Sequence, residues 1–185
     1  MADKKRLLID VDEVLADFHT PVLSVIHELL GKKLTPYDFD EWDMFASFTQ
    51  EERNQIFARV SEPGFCLDFK PKPGAVEAIA EIRKTHHVTP VTRPFPSRTW
   101  AHDRMSWLYD HFGFKEPEIV TTAAKQLVYG DALLDDNPQH VIDWQATHPN
   151  GLGMLWHSPT TRKLTQHDHL RVKSWAEVIE KVKAL

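Results

Sequence analysis

RLLIDVD, residues 6–12, runs three apolar side chains into an acid at Asp10 and a second acid at Asp12. A short apolar run without alternation reads as a strand buried on both faces of a parallel sheet, with its polar end emerging at the sheet edge. Beyond about residue 74, helical and strand patterns take turns. A helix over 74–85 leads to strand 87–92, and a helix capped by Ser97 runs to Phe112 with Gly113 as its stop. Strand 118–121, a short helical piece at 124–129 and strand 132–136 follow, then a helix capped by Asn137 and Pro138. Strands 151–156 and 170–173 and a closing helix capped by Ser174 with Glu177 end the series. This alternation predicts an α/β fold, a parallel sheet with helices on both faces.

Residues 17–70 interrupt that order. Val22, Val25, Ile26, Leu29 and Leu30 keep helical spacing behind Thr20 as N-cap and Pro21 as N1, with Gly31 as the stop. Thr49 and Glu52 form a capping box for a second helix, which Pro63-Gly64 breaks. The expected organisation is a core of residues 1–16 and 71–185 with a small helical cap, 17–70, inserted after the first strand.

Composition narrows the function classes. Of 185 residues, 42% are hydrophobic and 26% charged, which excludes a disordered chain and leaves room for one core domain plus an insertion. A formal net charge of −5 without a Lys/Arg block gives no footprint for duplex nucleic acid or an anionic membrane surface. Cys66 is the single cysteine, so no intrachain disulfide forms. The start, MADKKRLLIDVDEV, lets Asp10 interrupt its apolar run too early for a signal-peptide or membrane segment, and the expected location is the cytoplasm.

Polar groups stand at or beside the carboxyl ends of the predicted strands, where open α/β sheets place their ligand crevice: Asp10 and Asp12, Thr92, Lys125, and Asp135-Asp136. In extended chain the residues i and i+2 share a side, so Asp10 and Asp12 can face one site. Clustered carboxylates repel unless a cation joins them, and Mg²⁺ held by a few carboxylates and phosphate oxygens is the usual solution. Each piece alone is commonly a turn or a helix cap. Their joint occurrence in this chain order carries the functional reading.

The order Asp-x-Asp, Thr, Lys, Asp-Asp resembles the haloacid dehalogenase superfamily of aspartyl-phosphate phosphotransferases. IDVDEVLADF, PGFCLDFKPKPGAVEAI, VTRP, DRMSWLYDHFG and GDALLDDNP look more narrowly like the 5′(3′)-deoxyribonucleotidases, over residues 6 to about 141. The resemblance implies a HAD-like Rossmannoid core and a Mg²⁺-dependent phosphomonoesterase acting on (deoxy)nucleoside monophosphates. It implies Asp10 as nucleophile and Asp12 as general acid and base, a carboxyl whose pKa its neighbours raise. Asp10, the backbone carbonyl of Asp12, and Asp136 would hold Mg²⁺, with Asp135 and Asp131 in support. Thr92 would donate to a phosphoryl oxygen and Lys125 would balance the phosphate charge. Arg104 takes the place of a basic phosphate-side residue, or else is a solvated helix charge.

Among the aromatic residues of the insert, Phe18, Trp42, Phe45 and Phe57 are the candidates to stack on a base, while the others build its core. Two positions depart from the family pattern: Glu13 stands where Gly is usual, and Arg93 where a small hydroxyl residue is usual. Arg93 becomes a candidate substrate contact, and an ion pair between Glu13 and Arg93 would cancel the extra charge beside the site. The expected partner is a small nucleotide or another phosphomonoester, with no duplex and no membrane, and homodimer formation is left open. A phosphatase for another small phosphomonoester, a phosphoreceiver domain and a non-catalytic binding protein are the alternatives. A receiver places its acid pair before its acceptor Asp, which is the reverse of this chain.

Overall fold

The computed structural model describes residues 4–185, so the first three positions of the expected core lie outside it. Leu7, Leu8 and Ile9 of strand β1 (Arg6–Ile9) are fully buried and part to opposite faces of a sheet. Leu7 and Ile9 enter the larger core, while Leu8 joins Val91, Leu133 and Trp144 in a smaller one. Burial on both faces explains why the strand reads as a continuous apolar run.

Six parallel strands lie in the order β3-β2-β1-β4-β5-β6, where β2 is His87–Thr92, β3 Val120–Thr121, β4 Ala132–Asp135, β5 Leu152–Trp156 and β6 Arg171–Val172. β1 pairs β2 with Leu8 opposite Thr89, and pairs β4 with Leu8 opposite Leu133. The chain winds outward through β2 and β3 on one side of β1, and through β4, β5 and β6 on the other. The carboxyl ends of β1 and β4 therefore flank the point where winding reverses, the position at which such sheets open a crevice. Helix α5 (Pro138–Thr147) covers β4 and β5, and α3 (Ala75–Ile82), α4 (Trp100–Phe112) and α6 (Trp175–Lys183) pack together on the other side. The α/β architecture with helices on both faces is as expected.

Between β1 and α3 the chain runs through α1 (His19–Leu30) and α2 (Gln50–Val60), which pack on each other. The segment leaves and returns side by side. Ala16 bridges Pro71, Asp17 N–H donates to the Lys70 carbonyl at 2.8 Å, and Lys72 N–H donates to the Leu15 carbonyl at 2.7 Å. The capping box of Thr49 and Glu52 forms as expected, and Asn137 and Ser174 cap α5 and α6.

Several boundaries differ. α1 begins at His19, so Thr20 and Pro21 lie in its first turn, and the Thr20 side chain caps nothing. Ser97 turns its hydroxyl to the Ser61 carbonyl at 2.8 Å, and α4 starts at Trp100 instead. Pro117 lies in a 3-10 turn, Glu116–Glu118, which shortens the strand expected over 118–121 to Val120–Thr121. The helical piece at 124–129 is a single turn, Lys125–Leu127.

Candidate active site

Asp10 follows β1, and its N–H donates to the Leu134 carbonyl at 2.9 Å, which sets the two strand ends level. Lys125, buried by its own tight turn, places Nζ 2.5 Å from Asp10 Oδ1 and 2.7 Å from Asp135 Oδ2. Asp135, the last residue of β4, also accepts the Asn137 N–H at 2.8 Å and faces His140 Nδ1 at 3.2 Å. Its neighbour Asp136 accepts the Trp42 indole N–H at 3.0 Å.

Each of Asp10, Asp135 and Asp136 is buried and offers a carboxylate oxygen within 4.8 Å of the others. Burial, and then the charges of Asp135 and Asp12, lift Asp10 to about 6 against the pull of Lys125. Burial together with Asp10, Asp135 and Glu13 holds Asp136 well above the ordinary carboxylate range. Burial would raise Asp135 too, but Lys125 and His140 bring it below its ordinary value. Three acids against one buried ammonium leave negative charge to be neutralised, and an all-oxygen donor set suits a hard divalent cation. Since Asp135 is occupied by Lys125 and the Asn137 N–H, Asp10 and Asp136 are the carboxylates best able to ligate.

Thr92 ends β2 across from β1, buried, and its Oγ1 has no hydrogen-bond partner. A buried hydroxyl left unmatched is costly and marks a place where an acceptor belongs. Asp12 lies beside Arg104, whose Nη2 is 2.5 Å from Asp12 Oδ1. Arg104 is 0% exposed, which removes the reading as a solvated helix charge. Its guanidinium lies 5.3 Å from the Phe69 ring and 5.5 Å from the Trp100 and Trp107 rings, a cation held over aromatic faces. The group expected on the phosphate side is thus turned onto Asp12. Asp12 is raised from its ordinary value chiefly by burial, which Arg104 opposes, and only then by the neighbouring Glu13.

Phe18, Phe45 and Phe57 come together: ring centres are 6.4 Å apart for Phe18 and Phe45 and 4.8 Å for Phe45 and Phe57. All three also meet Phe95, at 6.0, 6.2 and 5.5 Å. Phe95 escaped the sequence reading, although its place three residues past Thr92 in VTRPF was a usable signal. Trp42 stands apart from this wall, because its indole reaches Asp136 and its ring meets His140 at 6.2 Å.

Other expectations fail. Glu13 and Arg93 do not pair: Arg93 is exposed and makes no ion pair among the described residues. Glu13 is buried at φ 60, which turns its side chain back onto the start of α1 and onto Lys72. Asp131 does not support the acid cluster either. It sits at the opposite end of β4, bonded to Lys5 Nζ at 3.0 Å and the Arg6 N–H at 2.8 Å.

A family model described as "5' nucleotidase, deoxy (Pyrimidine), cytosolic type C protein" matches residues 4–185. The chain belongs to this type C 5′ nucleotidase family. Similar curated proteins are a "Putative 5'(3')-deoxyribonucleotidase" from Staphylococcus epidermidis, 25% identical over 95% of this chain and 94% of its own, and one of the same name from Bordetella pertussis, 28% identical over 94% of each. Among solved structures, a haloacid dehalogenase-like family hydrolase from Streptococcus pneumoniae has TM-score 0.64 at 11% identity over 98% of this chain and 99% of that one. A HAD hydrolase from Bacillus subtilis, described as bound to magnesium, has TM-score 0.60 at 14% identity over 97% of this chain and 98% of that one. The nucleotidase family thus meets the HAD-like fold in this chain, a nucleotidase-like phosphatase.

Proposed function

We propose that this nucleotidase-family phosphatase hydrolyses (deoxy)nucleoside monophosphates through a phosphoryl group carried by Asp10, in a Mg²⁺-dependent reaction. The observation that carries the reading is Lys125, buried between Asp10 and Asp135 at the switch point of the sheet, with Asp136 beside them. Asp10, Asp136 and the Asp12 carbonyl would hold Mg²⁺, whose charge offsets that of the phosphate and lets an anionic nucleophile approach. Asp10 attacks phosphorus as the bond to the sugar oxygen breaks, and Asp12 gives that oxygen its proton. Water then attacks the aspartyl phosphate, Asp12 recovers the proton, and Asp10 is released as a carboxylate. Thr92 Oγ1 donates to a phosphoryl oxygen and Lys125 keeps Asp10 oriented. Arg104 acts through Asp12.

Residues 17–70 serve as a cap in this reading, and Phe18, Phe45, Phe57 and Phe95 supply the apolar wall for the base. A cytoplasmic location fits a lone buried thiol, Cys66, which burial pushes up to about 11 and so keeps unreactive. The test is phosphate release from a panel of nucleoside monophosphates and sugar phosphates, with and without Mg²⁺. Nucleotides should be preferred and activity lost without Mg²⁺; better turnover of small sugar phosphates than of every nucleotide would replace the base-binding reading.

A further inference from the structure

Glu13 is the one non-glycine residue with positive φ among the described residues, and it follows Asp12 directly. Its buried carboxylate gathers four groups from two segments. Oε1 accepts the N–H of Phe18 at 2.9 Å and of His19 at 2.8 Å, the first donors of α1. Oε2 lies 2.9 Å from Lys72 Nζ and 3.0 Å from His19 Nδ1. Two backbone N–H donors and an ammonium around one buried carboxyl favour its charged form.

These contacts stand at the stem of the insert. Phe18 and His19 belong to the outgoing segment and Lys72 to the returning one, just past the Ala16–Pro71 bridge. A helix N-terminus and an ammonium are the groups a carboxylate best neutralises. A partly open cavity of about 320 Å³, lined by Glu13, Asp17, His19, Lys70 and Lys72, adjoins the clamp. Phe18 links the clamp to the aromatic wall, since its backbone is held by Glu13 and its ring meets Phe45 and Phe95.

We propose that Glu13 is a positioning residue that ties both segments of the stem together and so fixes Phe18 within the aromatic wall, setting the preference for phosphomonoesters that carry a base. The proposal rests on the nucleoside monophosphate reading above for its substrate. Lys72 is its counter-charge, and the left-handed backbone is the conformation that aims the carboxylate at the stem.

Because φ 60 suits glycine, Glu13→Gly removes the clamp without straining the loop beside Asp12. The full chain is assayed with Mg²⁺ on a nucleoside monophosphate and on glycerol phosphate, which has no base. Glu13→Gly should raise KM for the nucleotide about tenfold to a hundredfold. Its kcat should stay within about threefold, with glycerol phosphate turnover unchanged. Lys72→Met should shift nucleotide KM in the same direction and add little to Glu13→Gly, as coupled partners do. Hydrogen exchange over residues 16–20 and 70–73 should quicken in both variants. Equal losses on both substrates, a fall in kcat alone, an unmoved nucleotide KM, or fully additive effects would each overturn the proposal. A wild-type enzyme that turns over glycerol phosphate and no nucleotide would refute the substrate reading instead. The clamp is then decided by exchange, and unchanged protection in Glu13→Gly would end it.

Discussion

Asp10 and Asp12 stand two residues apart and meet different cations: Lys125 for Asp10 and Arg104 for Asp12. Two environments fit the two roles proposed for them, a nucleophile beside an ammonium and a proton carrier whose carboxyl burial raises above its ordinary value. Asp10→Asn and Asp12→Asn should each abolish turnover with the thermal transition retained, as neither job can be done by the other residue; near wild-type phosphate release in either would refute the assignment. Arg104→Leu separates two readings of the buried guanidinium. If it acts through Asp12, kcat falls roughly ten- to a hundredfold while nucleotide KM holds. A raised KM with kcat preserved would put Arg104 on the phosphate. The acids and Thr92 were legible because they end or follow buried strands that open on one crevice, and Lys125 because its place in the motif order falls between Thr92 and Asp135. The direction of Arg104 was not, since an arginine on a helix shows no sign in sequence of the cage that Phe69, Trp100 and Trp107 build around it.

At the scale of elements, the strands announce themselves by composition, and their ends depend on distant partners. Asp131 precedes β4 and ties it to the start of β1 through the Arg6 N–H and Lys5. Although burial works against ionisation, those donors hold its folded-state pKa below the ordinary 3.8. A depressed carboxyl stabilises the fold above its unfolded pKa and loses that contribution as pH falls through the folded value. Asp131→Asn should therefore cost about 1 kcal/mol near neutral pH, or a Tm lower by about 2–4 °C, with kcat unaffected. The two melting temperatures should start to approach each other as pH falls below the ordinary 3.8 and converge once it passes the lower folded value; a constant gap would show that the carboxylate charge does not contribute. The start of α1 was misread for a similar reason. Thr20-Pro21 is a good local signal, but Glu13, six residues before His19, satisfies the first N–H groups and moves the boundary. Local caps such as Thr49 with Glu52 were readable, whereas a cap contributed through a left-handed turn was not.

For the whole molecule, the reversal of winding at β1 brings Asp10, Thr92, Lys125, Asp135 and Asp136 from four parts of the chain to one sheet edge. Motif order makes this legible, because parallel strands put every carboxyl end on the same side. The link from Trp42 to Asp136 was not legible, as it joins residues 94 positions apart across the crevice. If the acid cluster holds a divalent cation, Mg²⁺ at about a hundred times its dissociation constant adds about 2.7 kcal/mol and should raise Tm by roughly 5–10 °C. Asp136→Asn should lose most of that shift and Asp131→Asn none of it, and an equal shift in all three proteins would place the ion elsewhere. The most direct test is chemical. Wild-type protein with Mg²⁺ and a nucleoside monophosphate is acid-quenched within the first turnover and its peptides are weighed. One phosphoryl group on the Asp10 peptide, absent from Asp10→Asn, is the expected result; no phosphorylated peptide, or a phosphoryl group on any other residue, would contradict it.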